Sequence, residues 1–285
     1  MIPAAFDYVR PTSVEEAVAA LAEHGDEAKV LAGGHSLLPL LKLRFAYPEV
    51  LVDLGRIPEL RGIRAEGDRL TIGAMTTHYQ VVGDPLLRTH CAILSQATAK
   101  VGDPQVRHRG TLGGALSHGD AAGDLPAVAL ALEAELVLQG PGGRRSVAAA
   151  DFFVDYLQTA LADDEVLVEV RVPKLDGSWG ANYQKFSRSA QAWAIVGACA
   201  LVRRDNGSIA EARVGLTNMG NVPLRAGATE RALRGAALSG DPIPAAAAVA
   251  AEGIDPPADL SAQPDYRRHL ARVLTRRALQ AAVGA

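Results

Sequence analysis

The chain has 285 residues, a length that allows about two domains with substantial hydrophobic cores. Hydrophobic residues make up 48% and charged residues 21% of the chain, and the net charge of −3, without a basic excess, argues against nucleic-acid binding. The amino terminus lacks a secretory-signal pattern and the apolar runs are too short to span a bilayer, so we expect a cytoplasmic protein without a membrane span.

Helix and strand signals alternate in the first half of the chain. Ser13 and Glu16 match a capping box, which predicts a helix that begins there and ends at Gly25. The further elements predicted in this half are a strand over 29–32, a short helix over 37–43, a strand over 50–54, a hairpin of 61–65 with 69–72, and a helix over 86–101. A glycine-dense stretch over 110–123 then leads into the apolar segment 125–132.

The second half of the chain is richer in strand signals. Strands are predicted over 135–139, 144–148, 165–172, 181–187, 192–203 and 209–217. Three helices are predicted after them, over 224–233, 244–252 and 264–282. Because the segment 173–180 is polar and rich in turn-forming residues, we place a domain boundary there.

A paired-glycine turn connects the strand over 29–32 to the helix over 37–43. Gly33 and Gly34 allow positive φ angles and a close approach of the backbone to a ligand. With the Ser36 hydroxyl and the amino terminus of the following helix, the exposed amides suit a pyrophosphate. A tight strand–helix turn without a ligand is the alternative for an isolated glycine pair.

A second turn of the same kind lies in the glycine-dense stretch. Gly113 and Gly114 can again hold a phosphate beside the Thr111 hydroxyl. Asp120 and Asp124 are acceptors suited to ribose hydroxyls, although Asp124 can instead cap the helix that follows it. Neither turn carries GxGxxG or GxxxxGK[ST], which disfavours a Rossmann domain and a P-loop enzyme. Two such turns suit a dinucleotide that is held at two places.

Four histidines lie near these turns without the spacing of a metal chelate. They are His35, His78, His108 and His118. The two cysteines, Cys91 and Cys199, are too few and too far apart to build an iron–sulfur cluster. The GxSxG motif of many hydrolases is also missing from the sequence. We therefore predict no metal site and no catalytic acid or base in this chain.

Several short motifs occur together in a fixed order. They are Ala32-Gly33-Gly34-His35-Ser36-Leu37, Ile72-Gly73-Ala74-Met75-Thr76-Thr77, Thr111-Leu112-Gly113-Gly114, the stretch 120–126, Tyr183-Gln184-Lys185-Phe186-Ser187-Arg188 and Ala194-Ile195-Val196-Gly197. In combination they resemble the FAD-binding medium subunit of the carbon monoxide dehydrogenase and xanthine dehydrogenase family, the molybdenum hydroxylases. The resemblance covers nearly the whole chain.

This resemblance implies an α+β fold. The expected FAD-binding domain is of the vanillyl-alcohol-oxidase (PCMH) type and occupies 1–175, with two α+β subdomains at about 1–54 and 55–175 that embrace the cofactor. A C-terminal α+β domain of antiparallel strands and helices is expected over 176–285.

The resemblance also implies a set of FAD-binding residues. They are Ala32, Gly33, Gly34, His35, Ser36, Leu37, Thr76, Thr111, Gly113, Gly114, Ala115, Asp120, Asp124, Leu161 and Lys185. The residues 32–36 would hold the pyrophosphate, and Thr111, Gly114 and Ala115 would line the second turn that holds the dinucleotide. Relatives often carry asparagine or serine where this chain has Ala115, so a side-chain hydrogen bond to FAD is lost there while a backbone contact remains possible.

Three of these residues have more specific implied roles. Asp124 would meet the ribose or adenine side of FAD, and Leu161 would make a backbone contact. Lys185 would lie close to the isoalloxazine ring, where a cation stabilises the anionic reduced flavin. Without the family pattern, a solvated strand lysine is the favoured interpretation of Lys185.

The implied function is electron transfer within a larger enzyme. FAD in this chain would receive electrons from the [2Fe–2S] clusters of a small subunit, after substrate oxidation at the molybdopterin cofactor of a large subunit, and pass them to an external acceptor. A dimer of heterotrimers is the expected assembly. Two alternatives are a stand-alone FAD-dependent oxidoreductase of the vanillyl-alcohol-oxidase superfamily and a non-enzymatic assembly subunit with a decayed flavin site. The modest C-terminal region argues against the first and the intact glycine turns against the second, while the substrate and the acceptor stay open.

Overall fold

The first sheet is parallel and has three strands. A computed structural model describes residues 2–284 of the chain. In this sheet the central strand β3 lies between β1 and β2. The elements of this part are β1 (Asp7–Val9), α1 (Val14–His24), β2 (Ala28–Leu31), α2 (Leu37–Leu43) and β3 (Val50–Asp53).

The capping of α1 differs in one detail from the predicted capping box. The Ser13 hydroxyl accepts a hydrogen bond from the Glu16 amide at 3.1 Å, as predicted. The Glu16 carboxylate, however, accepts from the Thr12 amide at 2.7 Å and not from the amide of Ser13. The helix still begins at the predicted residue because either bond satisfies an amide near its first turn.

The second sheet is antiparallel and has five strands, in the order β4-β5-β10-β6-β7. Its strands are β4 (Ile63–Glu66), β5 (Arg69–Gly73), β6 (Glu135–Gly140), β7 (Gly143–Ala148) and β10 (Val166–Pro173). A small hairpin of β8 (Phe153–Asp155) and β9 (Gln158–Thr159) lies between β7 and β10 in the chain. Val137, Val166 and Val168 of this sheet share one hydrophobic core with α1 and the first sheet.

Seven helices lie in the same part of the chain as the second sheet. They are α3 (His78–Gly83), α4 (Pro85–His90), α5 (Ala92–Thr98), α6 (Pro104–Arg109), α7 (Leu112–Ser117), α8 (Asp124–Ala131) and α9 (Ala149–Phe152). The single helix predicted over 86–101 is wrong, since Cys91 has a non-helical backbone (φ −154°, ψ 51°) that separates α4 from α5. The glycine-dense stretch contains α7, which the sequence did not predict.

The third sheet is antiparallel and has four consecutive strands. They are β11 (Trp179–Phe186), β12 (Val196–Asp205), β13 (Ser208–Thr217) and β14 (Leu224–Arg225). The helices that follow are α10 (Gly227–Leu233), α11 (Ile243–Ala248) and α12 (Pro264–Val283). The predicted helix over 224–233 thus begins three residues late, because Leu224 and Arg225 pair with β13. Among residues 2–284, no helix is both long and apolar enough to cross a membrane.

Both faces of the third sheet are covered by helices. A Cβ atom at Gly180 would overlap the Ala282 carbonyl of α12, and one at Gly215 would overlap the Ala127 carbonyl of α8. Since the register places these two glycines on opposite faces, α12 and α8 lie on opposite sides of the sheet. All eight residues of α8 are buried, so this helix is the shared core element between the second and third sheets. The mixed α+β fold that the sequence predicted is confirmed.

Candidate functional site

The two glycine turns are in direct contact with each other. A Cβ atom at Gly33 would overlap the Arg109 carbonyl oxygen and lie 2.8 Å from Gly110 Cα. Next to this contact, a Cβ at Gly114 would lie 3.4 Å from the Ala32 Cβ. The structure therefore brings Ala32 and Gly33 of the first turn against residues 109–114 of the second, a contact that local sequence signals alone could not place. We call the two turns together the cradle.

The first turn keeps polar groups accessible. Gly34 has φ +80°, a conformation that favours glycine, and it turns the chain from β2 into α2. His35 is exposed, and the structure shows no capping bond from the Ser36 side chain to α2 within the described residues. Leu37 is the first residue of α2. The turn can thus offer its amides and the Ser36 hydroxyl to an anion.

Hydrogen bonds to the segment after β5 fix the second turn. The Thr111 hydroxyl accepts from the Gly114 amide at 3.1 Å and so caps α7. The Gly113 amide donates to the Ala74 carbonyl at 2.8 Å, and a Cβ at Gly113 would lie only 2.5 Å from the Ala74 Cβ. Gly113 is therefore needed for packing, while Ala115, half-buried on α7, lies one residue beyond Gly114.

Thr76 adjoins the second turn, since its carbonyl accepts from the Leu112 amide at 3.0 Å, and Leu161 adjoins the β8–β9 hairpin. The Thr76 hydroxyl is buried, accepts from the Gly62 amide at 3.1 Å and lies 3.2 Å from the Gly62 carbonyl. Leu161 follows the β8–β9 hairpin, and this hairpin packs against Gly119, where an added Cβ would lie 3.0 Å from the Thr159 methyl. The hairpin before Leu161 thus packs next to Asp120, and Thr76 connects the second turn to Gly62.

Asp120 forms a short turn within the glycine-dense stretch. Its Oδ1 accepts from the Ala122 amide at 2.8 Å, and its carbonyl accepts from the Gly123 amide at 2.9 Å. The carboxylate predicted to bind ribose is therefore fixed in orientation by its own backbone. The same turn leads directly into α8.

Asp124 and Lys185 form a buried ion pair at the start of α8. The Lys185 ammonium donates to Asp124 Oδ2 at 2.8 Å, and the two side chains are 6% and 4% exposed. Tyr183 donates its hydroxyl to Asp124 Oδ1 at 2.6 Å. The predicted alternative, Asp124 as the cap of α8, is wrong because Gly123 holds the capping position. The solvated-lysine interpretation of Lys185 is also wrong.

The pair is held in a low-polarity environment. Burial raises the pKa of Asp124, while the charge and hydrogen bond of Lys185 and the Tyr183 hydroxyl act to lower it. Burial, followed by the charge of Asp124, raises the pKa of Tyr183 well above its ordinary value. The Lys185 ammonium also donates to the Lys100 carbonyl at 3.1 Å. Since an ammonium has three donors, one N–H remains for a ligand.

Sequence reasoning named Asp124 and Lys185 but not their pairing. Along β11, Tyr183 and Lys185 point to the same face because successive side chains of a strand alternate. This face is the one that packs on α8, as Gly215 shows by its contact with Ala127. The alternation of side chains along a strand could have predicted that Tyr183 and Lys185 share a face. It could not have predicted that α8 packs on that face.

His78, which the sequence placed near the turns but not among the FAD-binding residues, lies at the contact between them. It is 3% exposed and lies against Gly110, whose carbonyl accepts from the His78 amide at 2.9 Å. Burial, with smaller contributions from Arg107 and His35, lowers the pKa of His78 to about 4. Its Nδ1 has no hydrogen-bond partner among residues 2–284, which is unusual for a buried polar atom.

The other histidines and acids do not assemble into a metal site in the described part of the chain. No group of three possible ligands lies together among residues 2–284. His108 instead stacks on Tyr79, with ring centroids 4.1 Å apart. Tyr79 belongs to α3, a helix that the sequence could have predicted, since Thr77 and Gln80 form its capping box.

Two family models together match most of the chain. The first is described as the FAD binding domain in molybdopterin dehydrogenase and matches residues 4–175. This chain belongs to that family. The second model, the CO dehydrogenase flavoprotein C-terminal domain, matches residues 181–282. The predicted resemblance is confirmed, and with it FAD as the cofactor and an oxidoreductase role.

Relatives of this family align over nearly their whole length. The carbon monoxide dehydrogenase medium chain of Hydrogenophaga pseudoflava is 44% identical and the alignment covers 99% of this chain and 98% of that one. The 6-hydroxypseudooxynicotine dehydrogenase complex subunit alpha of Paenarthrobacter nicotinovorans is 38% identical, with coverage of 99% and 96%. A solved carbon monoxide dehydrogenase from Hydrogenophaga pseudoflava superposes with a TM-score of 0.97 at 45% identity, covering 100% of this chain and 99% of that one.

Proposed function

We propose that this chain is the FAD-binding electron-transfer subunit of a molybdenum hydroxylase complex. In this role it takes electrons from [2Fe–2S] clusters of a partner subunit and passes them to an external acceptor. One observation carries the proposal: two glycine turns meet in a backbone-lined cradle, in a chain of a flavoprotein family. FAD, when bound, supplies redox chemistry in steps of one or two electrons, and the protein supplies binding, orientation and electrostatics.

The cradle fits the pyrophosphate of a dinucleotide. Ala32, Gly33, Gly34, His35, Ser36 and Leu37 would hold one side of it, and Thr111, Gly113, Gly114 and Ala115 the other. Gly33 lets the two turns pack backbone against backbone. Because the Gly113 and Gly114 amides already donate to the Ala74 carbonyl and the Thr111 hydroxyl, the amides of the first turn would be the ones that bind the phosphate oxygens. The unpartnered His78 Nδ1 at this junction is consistent with a site that is completed by a ligand.

The polar residues around the cradle would orient the remaining parts of FAD. Lys185 would approach the isoalloxazine ring with its third N–H, since Asp124 and the Lys100 carbonyl already accept from the ammonium. Asp120 would lie on the ribose or adenine side, and Leu161 would contribute its backbone. Asp124 was expected on that side too, but its 2.8 Å bond to Lys185 would place it beside the ring as the counter-charge of the ammonium. Thr76 would act through its bonds to Gly62. We propose no catalytic acid or base.

We further propose that the chain assembles with a large molybdopterin subunit and a small iron–sulfur subunit, as a dimer of heterotrimers. The names of the relatives, a medium chain and a complex subunit, support such partners. A cytoplasmic location is in keeping with two cysteines that are free and buried. Within the chain we propose an FAD-binding domain over 1–175, with subdomains at about 1–54 and 55–175, and a C-terminal domain over 176–285.

The substrate of the assembled enzyme would be selected outside this chain. The two relatives above are 44% and 38% identical to it, yet their names refer to carbon monoxide and to 6-hydroxypseudooxynicotine. A flavin subunit that is reused with different substrates fits a role in electron transfer and not in substrate recognition.

Titration of the purified chain with FAD tests this function. We expect one FAD per chain, with flavin absorbance and no oxidase activity towards aldehydes, purines or carbon monoxide in the absence of partner subunits. Substrate-dependent flavin reduction should appear after the molybdopterin and iron–sulfur subunits are added. A folded chain that takes up no FAD would overturn the proposal, and substrate oxidation by the isolated chain would favour the stand-alone oxidoreductase.

A further inference from the structure

Asn218 connects three segments that are far apart in the chain. It directly follows β13 and has φ +60°, a left-handed conformation that asparagine tolerates better than most residues. Its amide N–H donates to the Ala121 carbonyl at 2.8 Å, and its side-chain Nδ2 donates to the Ala194 carbonyl at 2.7 Å. Its own carbonyl accepts from Arg267 Nη1 at 3.4 Å.

Arg267 on α12 fixes this junction from the other side. The side chain is fully buried, and its Nη2 donates to Asp259 Oδ2 at 2.6 Å. Its Nη1 donates to the Ile195 carbonyl as well as to Asn218. A buried guanidinium is costly to leave without acceptors, so these bonds hold the carbonyls of Ile195 and Asn218 in place.

One segment that meets at Asn218 carries Asp120 and Asp124, and another is the loop that begins two residues after Lys185. Ala121 lies in the turn between Asp120 and Asp124, and Ala194 lies near the end of the loop that follows the Lys185 strand. The residue before Asn218, Thr217, places its hydroxyl 3.4 Å from that of Tyr183, the partner of Asp124.

We propose that Asn218 is a positioning residue for the flavin site. Its backbone and side-chain N–H groups hold the Asp120 turn and the loop after Lys185 at a fixed separation, and Arg267 keeps Asn218 in place. This inference rests on the proposed FAD-binding function, because the separation matters only if one ligand contacts both segments. Asn218 itself touches neither Lys185 nor Asp124 through any hydrogen bond in the described structure.

Two substitutions separate the side-chain bond from the backbone conformation. Asn218→Gly keeps the left-handed backbone and the bond to Ala121 but deletes the donor to the Ala194 carbonyl. Asn218→Asp keeps the size of the side chain and its tolerance of positive φ, but turns an acceptor towards that carbonyl. Asn206→Gly is the matched control, since Asn206 is also left-handed (φ +47°) but is exposed in the turn between β12 and β13.

The experiment measures the FAD dissociation constant and the midpoint potential of the bound flavin in the full chain. We expect the dissociation constant to rise about threefold in Asn218→Gly and about tenfold in Asn218→Asp, in line with the loss and then the reversal of one hydrogen bond. The potential should shift in both variants and stay unchanged in Asn206→Gly. Unfolding of each variant without FAD checks that the fold is retained, and if Asn218→Asp does not fold, Asn218→Gly decides.

Two results would overturn the inference. If the wild-type chain binds FAD and Asn218→Gly has the same dissociation constant and midpoint potential, Asn218 does not position the flavin. The proposed FAD-binding function would stand in that case. A wild-type chain that binds no FAD would remove both.

Discussion

The turn junction and the buried ion pair both carry residues of the proposed FAD site but depend on opposite kinds of chemistry. At the junction of Gly33 with Gly110, backbone meets backbone, and the adjacent His78 is held neutral by burial. At the other end, Asp124 and Lys185 are both charged groups with almost no exposure, joined at 2.8 Å. An added atom is therefore the disruptive change at the junction, and the loss of one charge is the disruptive change at the ion pair.

This difference has a chemical basis in what each region would contact. A pyrophosphate is bound well by several converging amides, which requires that no side chain stand in the way. A flavin ring that changes charge on reduction needs a fixed cation, and a buried cation needs a counter-charge. The two regions should consequently respond differently to substitution and to pH.

The largest effect is expected from removing one charge of the pair. Lys185→Met leaves the Asp124 carboxylate buried without its counter-charge, which should lower the free energy of unfolding at neutral pH by about 3–5 kcal/mol. Urea unfolding monitored by circular dichroism measures it. The double variant Lys185→Met/Asp124→Asn is the control, and it should recover much of the loss because no charge remains buried. A double variant as unstable as the single one would contradict the account.

Acidification should relieve the Lys185→Met variant. Without Lys185, the contributions that lower the pKa of Asp124 are lost while burial still raises it. A carboxyl whose pKa is higher in the folded than in the unfolded state is protonated first in the folded state, so stability rises as the pH falls through the folded pKa. The deficit relative to the wild-type chain should therefore shrink between neutral and mildly acidic pH. A deficit that grows on acidification would refute this.

At the turn junction the sign of the pH dependence is reversed. The pKa of His78 falls from its ordinary value of 6.5 to about 4 in the folded chain. Between these values the unfolded state binds more protons, so the contribution of a neutral His78 is present above pH 6.5 and is lost as the pH falls towards 4. The loss amounts to about 3 kcal/mol at most.

Replacement of the imidazole isolates this contribution. His78→Gln should flatten the stability profile over the acidic range, as measured by urea unfolding at a series of pH values. His269→Gln, at an exposed histidine of α12, is the matched control and should leave the profile as it is in the wild-type chain. An unchanged slope in His78→Gln would show that another group dominates the acid response.

A smaller effect is expected from adding one methyl group at the junction. Gly33→Ala forces the Arg109–Gly110 backbone away from the first turn, which should cost about 1–3 kcal/mol of stability. FAD affinity should fall as well, because the two turns would no longer converge. Gly142→Ala is the control, since a Cβ at Gly142 meets nothing within 4 Å. Equal FAD affinity in both variants would show that the contact between the two turns is not needed for flavin binding.

Elements with a strong local signal were predictable from the sequence. The helix over 37–43 has the predicted bounds, because the paired-glycine turn separates it from β2 and leucines fill it. β1 was missed because three residues with little burial carry no alternation, and it forms only by pairing with β3. The break at Cys91 was missed because nothing in the local sequence prevents a continuous helix there.

The candidate site was predictable as a set of residues but not as an arrangement. Paired glycines identify turns that approach a ligand, yet the contact between Gly33 and Gly110 joins segments far apart in the chain. The pairing of Asp124 with Lys185 spans 61 residues and depends on the packing of α8 against β11 and its neighbours. The low pKa of His78 depends on burial, which is a tertiary property.

Hydrogen–deuterium exchange with and without FAD tests most directly whether the two glycine turns form one cofactor cradle. On addition of FAD, exchange should slow in 32–37 and in 111–116 together, over the same range of FAD concentration. The turn at 140–143, which lies outside the cradle, should exchange as before. Protection of only one glycine turn, or of neither in a chain that has bound FAD, would contradict the account.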